Sequence, residues 1–596
     1  MCLQMEMAMT KDKFNWKFCL CCGLFIWFIV NLMQGLFTEI HEDEAYYALF
    51  GEHLAWGYFD HPPMVALMTF LSSLFFSGTL GVRFFTIIAS CLSLWVMWRI
   101  ANLDCFVVPP RKSKIRRSQC AKRQLNNSQL STDSKLSTLN SQLPTDSQLS
   151  TFNSQLFFTI AFSIVIINLY GFVTTPDAAL LLFSALFLWV YQRYLNENSW
   201  KNMLLMGLLM ALMIYSKYHA FLLLGLIVFS NLKLLKDGKF YVACLLALVL
   251  LTPHILWQIH ADFPSFRYHL SGRSEPFRWS YFLEYLPNQL LVFNPFVFGA
   301  VVYVIFKHKS MDCFERGLLF VLVGFFTFFW LMTFRGHVEP HWTAVGTISA
   351  VVLLYRNALV DNKLMKYIKR IVAPSLLLMV AIRIALLTPL AASFGFCHNR
   401  PYYETIASEA DNYPVVFQGS FQQPALYHWF TGNESSTLCC YYDRKTQYDL
   451  WQFDTAWIGK PVMCVGKIGL TEHFQTANRL VTEFQIVNEG EKRQMVFHTD
   501  DTICIDFSIY NPYPKTIDFQ QEMALKLLLL DSNTVRYGFY DPINTLQPHE
   551  TYHGRFSVVL GPQTQLGNNR LLLGIGDQIA IFADTKNAVN VVVEAP

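Results

Sequence analysis

Charge is what this chain has least of. Asp, Glu, Lys and Arg make up only 15% of its 596 residues, against 53% hydrophobic and 16% aromatic. That balance excludes an ordinary soluble enzyme and points to a chain that crosses a membrane several times. Organised cysteine chemistry is missing too. The 14 cysteines show no Cys/His zinc spacing, and Cys19, Cys21, Cys22, Cys91 and Cys244 lie inside apolar runs, so thiols are not the function. Cys397, Cys439, Cys440, Cys464 and Cys504 fall in the C-terminal part, where an oxidising compartment permits pairing of a connectivity the sequence leaves open. The net charge of +3 names no partner, and no nucleic-acid partner is expected.

Lys and Arg are wholly absent from one stretch that is otherwise crowded with charge. Residues 38–64, TEIHEDEAYYALFGEHLAWGYFDHPPM, hold Glu39, Glu42, Asp43, Glu44, Glu52 and Asp60 and follow an apolar run of membrane-crossing length. A solvated loop explains the acids. It does not explain the interleaved Tyr46, Tyr47, Trp56, Tyr58 and Phe59, rings that need a surface to bury against. The stretch therefore reads as a folded, membrane-apposed active-site loop.

In chain order, Lys11, Lys13 and Lys17 precede a first span over about residues 18–37, retained because no small-residue cleavage site follows it. Residues 64–76, opened by Pro62 and Pro63, suit a re-entrant or interfacial helix, and a full span runs from about Arg83 to Ile100. Residues 102–155 form a hydrophilic insert. It begins basic and then repeats NSQLSTDSKLSTL and NSQLPTDSQLSTF, a composition that builds no core and is expected to be disordered. Apolar runs near 156–172, 178–194, 203–215, 219–235, 240–258, 288–306, 317–334, 341–355 and 371–390 bring the expected crossings to about eleven.

The connections between those runs alternate in charge. One set holds the N-terminal lysines, the basic insert, Arg193, Lys201, Lys233, Lys236, Lys239, Lys307, Lys309, Arg316, Arg356 and the lysines from Lys363 on; the other holds only Lys217, Arg267, Arg273, Arg278 and Arg335. The positive-inside rule makes the first set cytoplasmic and puts the acidic loop and the C-terminal part outside. On that outer side lie Asp43 and Glu44, Asp60 and His61, Asp177 as a helix N-cap after Pro176, Lys217 at an interface where it snorkels or binds, His269, and the run Arg335, His337, Glu339, His341, Trp342.

From about residue 391 the pattern turns soluble. Residues 391–470 read as a small α/β region and 471–596, in short alternating runs, as a β-sandwich. The fold class is thus a multi-span α-helical membrane protein with an extracytoplasmic α/β plus β-sandwich region.

HEDEAYYALF and GYFDHPPM, then TPDA, SKYHA and EPHW, resemble the bacterial members of glycosyltransferase family 39, relatives of the protein O-mannosyltransferases and the lipid A aminoarabinose transferase. The resemblance covers roughly residues 18–390 and more loosely 413–466. The repeat insert is foreign to the pattern, and His61 stands where the aminoarabinose transferases carry a lysine. The resemblance implies a GT-C fold in a bacterial inner membrane. It also implies an inverting transfer of a sugar from a polyprenyl-phosphate donor to a hydroxyl on a lipid, protein or glycan acceptor outside the cytoplasm. Asp43 matches the family's base and Glu44 is its neighbour and second choice. Lys217, Arg267, Arg273 and Arg335 are candidates for the donor phosphate; Tyr46, Tyr47, His269, Glu339, His341 and Trp342 for substrate; Asp60, His61 and Asp177 for a divalent metal ion. The rival readings are a lipid-linked glycan polymerase or ligase, and a transporter or flippase with an external domain.

Overall fold

The apolar run behind the N-terminal lysines forms α1, Cys2–Phe37. In this computed structural model of the protein the described residues are 2–107, 146–269, 277–307, 312–397, 399–410, 412–417, 419–437, 445–457, 460–465, 469–474, 481–486, 495–510, 516–518, 524–530, 535–538, 545–560, 566–576, 581–583 and 589–594. The chain divides into two units, Met1–His398 and Asn399–Pro596.

Among the described residues of the first unit five helical segments are long and apolar enough to cross a membrane: Phe18–Phe37, Gly78–Asn102, Pro176–Asn196, Gly238–His260 and Cys313–Met332. The pair Trp279–Phe293 and Pro295–Lys307, bent by 103°, makes a sixth if it counts as one span. The expectation of about eleven crossings also counts broken and shorter apolar runs. The run near 288–306 breaks at Asn294, whose φ is 75°, because Pro295 has no N–H to continue the helix. Asn294 holds the break by donating Nδ2 to the Ser163 carbonyl at 2.9 Å and accepting the Phe296 N–H at 3.0 Å. The run near 156–172 likewise divides into Asp146–Phe162 and Val165–Leu169, and Trp200–Ser216 and Ala220–Ser230 are apolar but shorter. The expected re-entrant piece is α3, Met64–Ser73, entered from Pro63.

Apolar side chains shared between these helices make one continuous core. Trp27 stacks on Phe162 at 4.8 Å. Helices Trp200–Ser216 and Gly238–His260 meet where Gly207 lies against the Ala243 carbonyl; a methyl group at Gly207 would stand 2.7 Å from that oxygen, so only glycine allows the approach.

In the second unit β1 (Val415–Phe417), β2 (Ser435–Thr437), β3 (Lys460–Val465) and β4 (Gly469–Phe474) form a sheet in the order β2-β1-β3-β4. The first three are parallel, and helix Gln422–Thr431 connects β1 to β2, which is the crossover a parallel pair requires. Beyond them, β12 (Thr551–Val559), β7 (Thr502–Tyr510) and β5 (Val481–Ile486) pair as one sheet. Another runs β10 (Val535–Gly538), β9 (Ala524–Leu530), β13 (Gly567–Gly576), β15 (Val589–Glu594), β6 (Met495–His498), with β14 (Ile581–Ala583) beside β13. β13 pairs with three neighbours, yet its glycines and asparagines break the alternation that marks the other strands in the sequence.

Candidate active site

The acidic stretch folds as a helix and a pinned turn. Its helix α2, Glu42–Glu52, starts at His41, whose ring nitrogen accepts the Asp43 N–H at 3.1 Å while Glu44 reaches back to accept the His41 N–H at 3.1 Å. This reciprocal cap satisfies two of the helix's free N–H groups. Gly395, with φ 82°, brings its carbonyl to the Glu42 N–H at 2.9 Å, and its missing side chain leaves room for the His41 ring. After α2 the chain turns on Tyr58, which stacks on Phe50 at 4.1 Å and donates its hydroxyl to the carbonyls of Phe50 and His53. Ser265 donates to the Tyr58 carbonyl at 2.8 Å, and His254 meets the Trp56 carbonyl at 2.6 Å.

Asp43 and Glu44, adjacent in sequence, have opposite environments. Glu44 is fully buried and accepts Arg83 Nε at 2.9 Å, the His41 N–H and, at 2.7 Å, the Thr174 N–H. Arg83, also fully buried, spends its other N–H groups on Glu44 and on the carbonyls of Gly35, Thr38 and Glu39. A carboxylate so fully bonded has no lone pair to offer a substrate, so the second-choice catalytic role for Glu44 is corrected to a structural one. Asp43 is different: its side chain is 39% exposed and lies 4.0 Å from His41. Neighbouring Glu42 has its carboxyl pushed above the usual range by partial burial and then by the Asp43 charge.

Arg83 is the residue that sequence reasoning missed. It was read as the edge of a span, although a charge in an apolar run is itself a signal. It ties the end of α1 to α2 and, through Glu44, to the 174 loop. That loop brings in Asp177, which is not the expected N-cap: Thr175 holds that position and Pro176 the first turn. Asp177 is buried and pairs with Lys217 at 2.6 Å, with His341 Nε2 at 3.7 Å from the same oxygen. Lys217 therefore does not snorkel; it is buried.

These groups converge. Burial first, and then the carboxylates of Asp177 and Asp43, hold the Tyr170 phenol protonated. Burial, followed by Lys217, His341, His269 and His61, keeps the His219 imidazole neutral by pushing its pKa well below the ordinary value. Among the described residues two buried polar atoms in this cluster, Asp177 Oδ1 and His219 Nδ1, have no hydrogen-bond partner, while the Thr175 hydroxyl faces the Tyr170 phenol. Buried polar atoms are normally satisfied, so the two are exceptional.

The remaining expectations divide. Tyr46 and Tyr47 are 1% and 7% exposed and bond to Asp60 and His61 at 3.3 and 3.2 Å, so they are core rings of the loop rather than faces for a sugar. Trp342 packs on His219 and Phe329 at 5.3 and 5.4 Å. His269 is exposed and meets the Asp60 carbonyl at 3.2 Å; Glu339 lies 3.8 Å from His337. Arg267 turns outward onto Asp262 at 2.5 Å, both well exposed. Arg335 is exposed, and Arg273 lies outside the described residues. Asp60, His61 and Asp177 do not assemble: among the described residues no group of three or more His, Cys, Asp or Glu side chains is placed to hold an ion, so these three do not fit a shared metal.

Residues 151–257 match the family model for dolichyl-phosphate-mannose-protein mannosyltransferase. The matched stretch contains Asp177, Lys217 and His219 and leaves out α2 and Arg83. No curated protein sequence matches the chain. Among solved structures, ArnT from Cupriavidus metallidurans bound to undecaprenyl phosphate is 13% identical, with a TM-score of 0.49, 75% of this chain covered and 92% of that one.

Proposed function

We propose that the chain is an inverting membrane glycosyltransferase of the GT-C type, moving a sugar from a polyprenyl-phosphate donor to an acceptor hydroxyl, with Asp43 as the base. The observation that carries this reading is the contrast within the acidic pair: Glu44 is fully buried and saturated by Arg83 and backbone N–H groups, whereas the Asp43 side chain stays 39% exposed. The family match over residues 151–257 supports the reaction class.

In the proposed step Asp43 takes the proton of the acceptor hydroxyl as its oxygen attacks the anomeric carbon. The bond from that carbon to the phosphate oxygen breaks, and the bonding pair leaves with the lipid phosphate. Attack from the side opposite the leaving group inverts the centre. Asp177 Oδ1 and His219 Nδ1 are positioned to bond sugar hydroxyls, and Lys217, His341 and His269 supply positive charge or N–H donors where negative charge grows on the departing phosphate. The acceptor is a hydroxyl on an envelope lipid, protein or glycan.

The test is sugar transfer from a polyprenyl-phosphate donor by purified, folded variants, with donor affinity measured in parallel. Asp43→Asn keeps size and removes the proton acceptor, so turnover is expected to fall about 100-fold or more with donor binding retained. Transfer by Asp43→Asn at the wild-type rate rules Asp43 out as the base.

A further inference from the structure

The pattern Leu-Trp-Val-x-x-Arg occurs on two helices. Leu94-Trp95-Val96 ends three residues before Arg99 on α4, Gly78–Val107, and Leu188-Trp189-Val190 ends three before Arg193 on Pro176–Asn196. The two helices run parallel and in step. Near their starts Thr174 donates to the Val82 carbonyl at 3.0 Å and bonds the Thr86 hydroxyl at 2.8 Å; near their ends Gln192 donates to the Ile100 carbonyl at 3.3 Å. Arg99 comes sixteen residues after Arg83, and Arg193 sixteen after Asp177, which is about 24 Å of helix rise in each case. Both arginines thus lie at one level, most of a bilayer core away from α2.

There they share aromatic neighbours. The Arg99 guanidinium lies 5.8 Å from the ring centres of both Trp95 and Trp189, Arg193 lies 5.6 Å from Trp189, and the two indoles meet edge to face at 5.6 Å. A third arginine at the same end, Arg356, donates to the Ile100 carbonyl and has its own carboxylate in Glu315 at 3.1 Å. Among the described residues Arg99 and Arg193 have no such carboxylate, and the buried Trp189 indole N–H has no acceptor. All four side chains are partly exposed.

We propose that Arg99, Arg193 and the Trp189 N–H form a seat for the phosphate of an anionic phospholipid headgroup, at the membrane face opposite α2. The chemistry is that of a two-cation anion site: two guanidiniums held over indoles, at headgroup depth, supply several N–H donors and no acceptor. A pair of aromatic–arginine membrane anchors with no ligand would show no preference among headgroups. A phosphate seat prefers net-negative lipid, because the positive headgroup of a zwitterionic lipid is repelled by both arginines. The site stands apart from the proposed transfer chemistry and does not depend on it.

The full-length protein, purified and stripped of lipid in detergent, is titrated with short-chain phosphatidylglycerol, phosphatidylcholine or inorganic phosphate, reading tryptophan fluorescence and thermal unfolding. Phosphatidylglycerol is expected to bind and stabilise the wild type, and Arg99→Gln/Arg193→Gln to bind it roughly 10- to 30-fold more weakly. Equal effects of phosphatidylglycerol and phosphatidylcholine, undiminished affinity in the double variant, or inorganic phosphate reproducing the shift each overturn the lipid assignment. If the double variant does not fold, photoactivatable phosphatidylglycerol is crosslinked to the wild type: adducts within residues 95–99 or 189–193 support the site, and adducts only elsewhere overturn it.

Discussion

At the scale of single residues the decisive partnership is Arg83 with Glu44. Both are fully buried, and removing one partner of a buried ion pair leaves the other uncompensated at a cost of about 3–5 kcal/mol, whereas replacing both with apolar groups is often close to neutral. Arg83→Met and Glu44→Met are each expected to lower the unfolding temperature sharply, and Arg83→Met/Glu44→Met to lose less than the two single losses together. Thermal unfolding in detergent checks this; additive losses in the double variant would show that the two side chains do not act as a pair. Asp43→Asn, by contrast, is expected to cost activity and little stability, because a half-exposed carboxylate carries little of the fold.

Glu42 makes a pH-dependent prediction. Its folded-state pKa is raised, by burial and by Asp43, so the folded state favours the protonated form. Its contribution to stability is present below the unfolded-state value of about 4.5 and is lost as pH rises through the folded one. Glu42→Gln should therefore raise the unfolding temperature at pH 7.5 relative to wild type, with the gain disappearing near pH 4. A gain of equal size at both pH values would point to packing instead of charge.

At the scale of elements, α2 and the 174 loop are coupled through one carboxylate, since Glu44 accepts N–H groups from both His41 and Thr174. The Tyr170 phenol, next to that loop, feels the charges of both Asp177 and Asp43. The low-complexity insert belongs to the same scale. Its repeat begins at Asn127, but residues from Asp146 already belong to helix Asp146–Phe162, so the separable part is 127–145. Deleting those residues is expected to leave transfer activity within about twofold of wild type, because a polar repeat without a core has no packing to lose. Loss of activity in folded protein would assign the repeat a role that its composition does not suggest.

For the whole molecule, the prediction is topological. From the Lys/Arg bias of the connections the insert and the second unit are expected on opposite sides of the membrane. Reporter tags near residue 135 and at the C-terminus are expected to be accessible from opposite faces; accessibility from the same face would require a different parity of crossings from the one the charges imply. Arg99 stands near the end of α4 from which the basic insert follows in sequence, so the same bias predicts that Arg99 and Arg193 face the cytoplasm.

The sequence by itself determined the class of the molecule, because apolar length and Lys/Arg bias act through the bilayer and need no tertiary partner to be read. It also located the acidic loop, a small α/β piece and most strands of the second unit, whose alternation is a local signal. Tertiary structure alone decided what the residues in the loop do. Asp43 and Glu44 are indistinguishable in a string of acids, and only Arg83, a helix away, and the Thr174 N–H make one a buried tie and leave the other exposed. Tyr46 and Tyr47 look equally suited to a sugar or a core until packing buries them. The geometry of a broken span was only partly in the sequence: Pro295 marks the break, but the left-handed Asn294 there is held by the Ser163 carbonyl, a partner far away in the chain. Charge and hydropathy are properties of a residue and its neighbours in the chain, whereas the role of a buried polar group is set by partners far away in it.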